Sequence, residues 1–172
     1  MNFVVYGIDR IGKNTFIETN LKDHTLIELT KPPKGVDPLE YSKAEYLDYF
    51  MRLKYEDNLV FSRGHVDEYV YAPKYRSYSI DYLTKMEAKF INDVSKNLIN
   101  VMLYTSNFNF LKDDGLSLDY SRRQEEQEDF FNLIPKQYKT IYIKVNDFDN
   151  YKSKELITSE FITALTKLIF FI

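Results

Sequence analysis

Short apolar runs alternate with longer stretches of helical period along this chain. Phe3–Tyr6 is an unbroken apolar run of strand length and reads as a buried strand. A helix is predicted over Lys13–Leu21, a second strand over Thr25–Leu29, and a loop over the Pro- and Gly-rich Lys31–Pro38. Leu39–Lys54 has helical period, with Tyr46, Leu47, Phe50 and Leu53 on one face. Asn58–Phe61 is the third strand, and His65–Arg76 is a helix interrupted near Pro73. Ile80–Asn97 carries the clearest stripe, Leu83, Met86, Phe90 and Val94, with Leu98 continuing it. Ile99–Tyr104 is the fourth strand, Asn107–Tyr120 a loop, Ser121–Leu133 a strongly charged helix, and Thr140–Val145 the fifth strand. Lys152–Ile169 closes the chain as a helix with Ile157, Phe161, Leu165 and Leu168 in register.

Strands that alternate with helices imply an α/β fold with a parallel sheet covered on both faces. Its crossovers are right-handed, and ligands in such sheets bind beyond the carboxyl ends of the strands. One rim then holds three segments: the loop after strand one, Lys31–Pro38 after strand two, and Ser62–Arg63 after strand three. No repeat, low-complexity tract or linker interrupts the 172 residues, so one domain over 1–172 is expected.

The loop after strand one carries chemistry. Gly7-Ile8-Asp9-Arg10-Ile11-Gly12-Lys13 is a phosphate-binding pattern: a glycine, four residues, then Gly-Lys. In a strand-to-helix loop the backbone N–H groups and the positive end of the helix dipole face the anion. Gly7 and Gly12 allow close backbone approach, and Lys13 supplies charge to the terminal phosphates. Asn14 takes the place of the usual Mg²⁺-binding hydroxyl, with Thr15 next to it.

Composition narrows this. Positive charge comes from 17 Lys and only 6 Arg, so arginine marks positions where its two-pronged geometry toward phosphate matters. Arg10 lies in the loop, Arg63 follows strand three, and Arg122 and Arg123 open the charged helix. A net charge of −3 provides no bulk attraction to nucleic acid or to an anionic membrane. The absence of cysteine excludes disulfides and thiolate chemistry and agrees with a reducing cytoplasm. No signal peptide or membrane span is read, because the run Leu168–Ile172 is too short.

Gly7-Ile8-Asp9-Arg10-Ile11-Gly12-Lys13 resembles the Gly-x-Asp-Arg-x-Gly-Lys loop of thymidylate kinases. Phe61-Ser62-Arg63-Gly64-His65 resembles that family's Asp-Arg-Tyr segment, and His65–Tyr71 is similar to phage-encoded members. The resemblance implies the P-loop nucleoside monophosphate kinase fold: three layers, a five-stranded sheet in order 2-3-1-4-5, and a lid. It implies transfer of the γ-phosphoryl group of ATP, with Mg²⁺, to a deoxynucleoside monophosphate, in the host cytoplasm if the gene is phage-borne. A homodimer would be in keeping with the family.

Carried over by position, the resemblance has Gly7, Arg10, Ile11, Gly12, Lys13, Asn14 and Thr15 around ATP. Lys13 holds the transferring group, Arg10 reaches the γ-phosphate, and Asn14 is the metal ligand. Asp9 binds the acceptor 3′-hydroxyl, and Arg63 clamps the acceptor phosphate with Lys31. Tyr71 crowds the sugar 2′ carbon, and Phe50 stacks on the base. The lid is expected at 107–129, containing Asp113-Asp114-Gly115 and the two arginines. There Arg122 or Arg123 neutralises transition-state charge, Arg122 being assigned to the reaction and Arg123 to ATP. Both departures fall on the metal side: Asn14 offers an amide oxygen in place of the hydroxyl, and Ser62 lacks the negative charge of the aspartate. That keeps two alternatives open: a degenerate kinase holding nucleotide or a host protein without turnover, and a kinase of deoxynucleosides.

Overall fold

A computed structural model describes residues 1–111 and 119–170. The lid segment Asp113-Asp114-Gly115 lies outside the described residues. The strands are β1 (Asn2–Tyr6), β2 (Thr25–Ile27), β3 (Leu59–Ser62), β4 (Leu98–Tyr104) and β5 (Lys139–Lys144), with a hairpin β6 (Asn146–Asp147) and β7 (Asn150–Tyr151). The helices are α1 (Lys13–Asn20), α2 (Pro38–Tyr55), α3 (His65–Tyr75), α4 (Asp81–Val94), α5 (Arg123–Leu133) and α6 (Lys154–Phe170). A single 3₁₀ turn, Tyr120–Arg122, leads into α5.

The five long strands form one parallel sheet in the order β2-β3-β1-β4-β5. β1 is central, and all five of its residues are buried. Side chains alternate between faces along a strand. Accordingly Phe3 meets Phe161 of α6 on one face, at 6.2 Å between rings, while Tyr6 meets Phe130 of α5 on the other, also at 6.2 Å. Phe16 of α1 joins the Phe161 side at 5.1 Å. On the opposite side α2 packs on β3 through Tyr49 and Phe61, and on α4 through stacked Phe50 and Phe90 rings. Burial on both faces is why the strands read as continuous apolar runs. Among the described residues no helix is long and apolar enough to cross a membrane.

Several details differ from the sequence pattern. Leu47 is 46% exposed; the buried face of α2 is Ser42, Tyr46, Tyr49, Phe50 and Leu53. The long stripe ends at Val94, and Leu98 belongs to β4. Helix α3 runs through Pro73 without a break, because the proline sits in its last turn and forgoes only one terminal hydrogen bond. The hairpin β6–β7 is too short to carry a period. Its strands are two residues each.

Candidate active site

The loop after β1 takes its shape from residues that point inward. Ile8 and Ile11 are buried and pin the loop to the core, while Asp9 and Arg10 are left at the surface. Gly7 has φ +140°, and a Cβ there would stand 2.7 Å from the carbonyl oxygen of Leu103 on β4, so no side chain is tolerated. Gly12, with φ +95°, is the N-cap of α1. The loop therefore opens its amides at a helix N-terminus, the arrangement suited to an anion.

Lys13 is 92% buried, and its Nζ donates to the carbonyls of Gly7 at 2.5 Å and Ile8 at 3.0 Å, so the ammonium lies across the loop. Burial pushes it down to about 8, against the pull of nearby Asp67. Asn14 and Thr15 are exposed on the first turn of α1. The Asn14 Oδ1 accepts from the hydroxyl of Ser62 at 3.1 Å, which joins the two positions that depart from the expected motif.

From the other side, β3 is followed by Arg63, whose φ of +96° turns the chain back into α3. Its Nη2 donates to Asp9 Oδ1 at 2.9 Å, and the guanidinium is half exposed. Behind it Asp67, 5% exposed, accepts the Gly64 N–H at 2.7 Å through Oδ2 and caps α3. Its other oxygen is buried without a hydrogen-bond partner. Burial raises the Asp67 carboxyl to about 6, although Lys13 and Arg63 pull it down. Tyr71, two turns along α3 from Gly64, is half buried; its hydroxyl has no hydrogen-bond partner and lies near Asp67, Asp9 and Glu126.

The remaining expected site residues fall differently. Phe50 is fully buried, packed flat on Phe90 at 5.6 Å and against His65 at 5.2 Å, so neither face of its ring can receive a base. Its position facing α4, inside the core, corrects the stacking role. Lys31 is exposed on the loop after β2. Arg122 makes a two-pronged ion pair with Glu125, both contacts at 2.9 Å, and sits over the Tyr75 ring. Arg123 Nη1 donates to the carbonyls of Phe108 at 3.0 Å and Leu111 at 3.3 Å, holding the segment after β4.

A cleft of about 1180 Å³ runs along the loop. Beyond Asp9–Phe16 and Arg63 it is walled by Asn109, Phe110 and the hairpin residues Asp149, Asn150 and Tyr151. Tyr151 meets Phe110 edge-on at 4.5 Å, and its hydroxyl donates to the Arg10 carbonyl at 2.5 Å. These residues, with Asp67 and Glu126, escape sequence reasoning. Asp67 had a weak signal, since an acidic side chain three residues after a helix's first flanking residue can accept that residue's N–H. Glu126 is hidden in an acidic run, and Tyr151 has no local signal.

The donors for a divalent cation are few. Asn14 Oδ1 and the Ser62 hydroxyl are hard oxygen ligands side by side, of the kind magnesium accepts. Among the described residues no group of three His, Cys, Asp or Glu side chains could hold a metal ion. The residues present fit a magnesium ion that arrives with nucleotide phosphates, not one caged by protein.

No protein-family model matches the chain, and no curated protein matches it. Solved structures do. The YorR protein of Bacillus subtilis, in complex with phosphorylated GDP, aligns over 97% of both chains with a TM-score of 0.67 and 16% identity. Deoxyadenosine kinase from M. mycoides with bound dATP aligns over 96% of this chain and 100% of its own, with a TM-score of 0.58 and 12% identity. The same enzyme with bound dCTP gives 0.54 over 97% of this chain and 100% of its own. At these identities the likeness is one of fold.

Proposed function

We propose that this chain is a nucleotide kinase that transfers the γ-phosphoryl group of ATP to a deoxynucleoside monophosphate. The observation that carries the reading is the meeting of Lys13 and Arg63 around Asp9 and Asp67. One cation comes from the loop after β1 and the other from the end of β3. Two cations approaching one point from two strand ends suit two phosphate groups brought head to head. The neighbours named above, a deoxyadenosine kinase among them, favour the same class of chemistry.

The chemistry asks for positioning and charge, without covalent catalysis. ATP phosphates settle on the amides of the loop, and Lys13 exchanges the Gly7 and Ile8 carbonyls for phosphate oxygens. Arg63 leaves Asp9 for the acceptor phosphate. An oxygen of the acceptor phosphate then bonds to the γ-phosphorus as the bond to the β-phosphate oxygen breaks, giving ADP and a deoxynucleoside diphosphate. Arg10 and, once it leaves Glu125, Arg122 meet the charge developing on the γ-phosphate. Asn14 and Ser62 are the residues that would hold a magnesium ion brought in with the nucleotide, and the ion would supply neutralisation of phosphate charge. Tyr71 blocks the 2′ position and favours deoxyribose.

One observation favours a second reading. Asn14 and Ser62 form a neutral pair where a metal site gains from negative charge, as in a protein that holds nucleotide without turnover. The experiment that separates them offers ATP with Mg²⁺ or Mn²⁺ to the purified protein, with each common deoxy- and ribonucleoside monophosphate and each deoxynucleoside. Diphosphate formation from a deoxynucleoside monophosphate is expected. Nucleotide binding with no product from any acceptor overturns the kinase reading, and product from nucleosides alone moves the acceptor one phosphate back.

A further inference from the structure

The chain leaves β4 under close restraint. The last strand residue, Tyr104, pairs with Lys144, and its carbonyl accepts the Val145 N–H at 2.9 Å. Thr105, 2% exposed, is the first residue past that pairing. In so buried a residue both backbone groups need partners. One side chain supplies them. Gln127 of α5 accepts the Thr105 N–H through Oε1 and donates from Nε2 to the Thr105 carbonyl, each at 2.8 Å. The carboxamide, itself buried, thus stands in for a neighbouring strand and fixes the direction in which the chain departs.

The restraint continues along the segment. Arg123 lies one turn before Gln127 on the same face of α5 and holds the carbonyls of Phe108 and Leu111. From the hairpin side, Asn146 Oδ1 accepts the Ser106 N–H at 3.1 Å, and Asn107 Nδ2 donates to Asp149 Oδ1 at 2.5 Å. What the held segment presents is a wall of the cleft. Asn109 and Phe110 line it together with Asp9–Phe16. Phe110 rests on Tyr151, which bonds the Arg10 carbonyl. The sheet and α5 have other anchors: the β4–β5 ladder is complete at Tyr104, and Phe130 packs α5 against Tyr6. The two bonds of Gln127 therefore bear on the wall.

We infer that Gln127 is a positioning residue for the donor nucleotide: acting through Thr105, it holds Asn109 and Phe110 against the nucleoside triphosphate seated on the phosphate loop. The inference rests on this cleft being the ATP side of the proposed kinase site. Gln127 does not itself line the cleft, so its effect reaches the nucleotide through the wall. Removing its two bonds leaves the buried N–H and carbonyl of Thr105 unpaired, and the segment shifts to recover partners. The acceptor side, where Arg63 follows β3, is built from other elements and keeps its shape.

Calorimetric titration of wild type, Gln127→Met, Phe110→Ala and the double variant tests this. The probes are the β,γ-imido analogue of ATP and whichever of dTMP, dCMP, dAMP and dGMP binds most tightly. Methionine keeps the length and packing of Gln127 and forms neither bond. Gln127→Met is expected to bind the ATP analogue about tenfold more weakly, and the monophosphate within about twofold of wild type. In steady-state assays the same split appears as a raised KM for ATP with kcat changed far less. Once the Phe110 ring is gone Gln127 has little left to hold, so the double variant should bind the ATP analogue within about twofold of Phe110→Ala alone. Equal losses of both ligands make Gln127 a brace and overturn the inference, as do an unchanged ATP affinity and an additive loss in the double variant. Should Gln127→Met not fold, Gln127→Glu replaces it, since its carboxylate still accepts the Thr105 N–H and cannot donate to the carbonyl. The same split is expected there, and its absence overturns the inference. Wild type that binds no ATP analogue removes the proposed function, and this inference with it; binding by wild type without the split in the variants overturns the inference alone.

Discussion

Arg63 donates through Nη2 to Asp9 Oδ1 at 2.9 Å, and this pair bridges the loop after β1 and the end of β3. With Arg63 49% exposed, the pair is worth little as a stabilising contact. It is readily exchanged, so an arriving phosphate takes the guanidinium and frees Asp9 to accept from a hydroxyl. Arg63→Ala is expected to weaken a deoxynucleoside monophosphate by roughly ten- to a hundredfold, the value of a charged hydrogen bond, and ATP by much less. Calorimetric titration of each ligand checks this; weakened ATP with an unchanged acceptor would reverse the assignment.

Lys13 is held for function at a cost to stability. Its ammonium is pushed from an ordinary 10.5 to about 8 by burial. Between those values the unfolded chain keeps a proton that the native state sheds. Stability therefore rises with pH across that window, and the penalty is fully present below 8. Lys13→Met is expected to abolish phosphoryl transfer and nucleotide binding while raising Tm at pH 7 by at least about 2 °C. The gain should shrink toward pH 10. A mutant that melts below wild type at pH 7 would show that the carbonyl contacts of Lys13 outweigh its desolvation.

Asp67 titrates in the opposite sense to a salt-bridged carboxylate. Burial raises its carboxyl from 3.8 to about 6, so the native state keeps a proton there that the unfolded chain has lost. Its contribution is full below pH 4 and is lost as pH rises through 6. Asp67→Asn, which still accepts the Gly64 N–H, removes this loss. The Tm of Asp67→Asn relative to wild type should be more favourable at pH 7 than at pH 4, by a free energy on the order of 2 kcal/mol. Thermal melts at the two pH values read it directly, and a difference independent of pH would rule it out.

Tyr151 ties the hairpin to the phosphate loop through the carbonyl of Arg10, a residue held at φ +67°. Tyr151→Phe keeps the ring against Phe110 and removes the hydroxyl that makes the tether. ATP is expected to bind about five- to tenfold more weakly, the worth of one neutral hydrogen bond, with the monophosphate unaffected. Equal loss of both ligands, or of neither, would detach the hairpin from the donor side.

How much could be read in advance follows from the range of the interactions. The strand runs, the helix periods and the glycine-lysine loop are local patterns, and each was legible because a few neighbouring residues decide it. With alternation established, a parallel sheet follows, and the structure has the order β2-β3-β1-β4-β5. The role of Phe50 was not legible. Helical period places it on an apolar face, but only the packing of α2 on α4 shows that Phe90 and His65 cover that ring. Asp67 and Glu126 look in sequence like solvated charges. They become buried carboxylates because Gly64 begins α3 beneath β1 and Phe130 anchors α5 against Tyr6. The tether between Tyr151 and Arg10 spans 141 residues, and no local period can encode a contact whose partners meet only after the sheet has assembled.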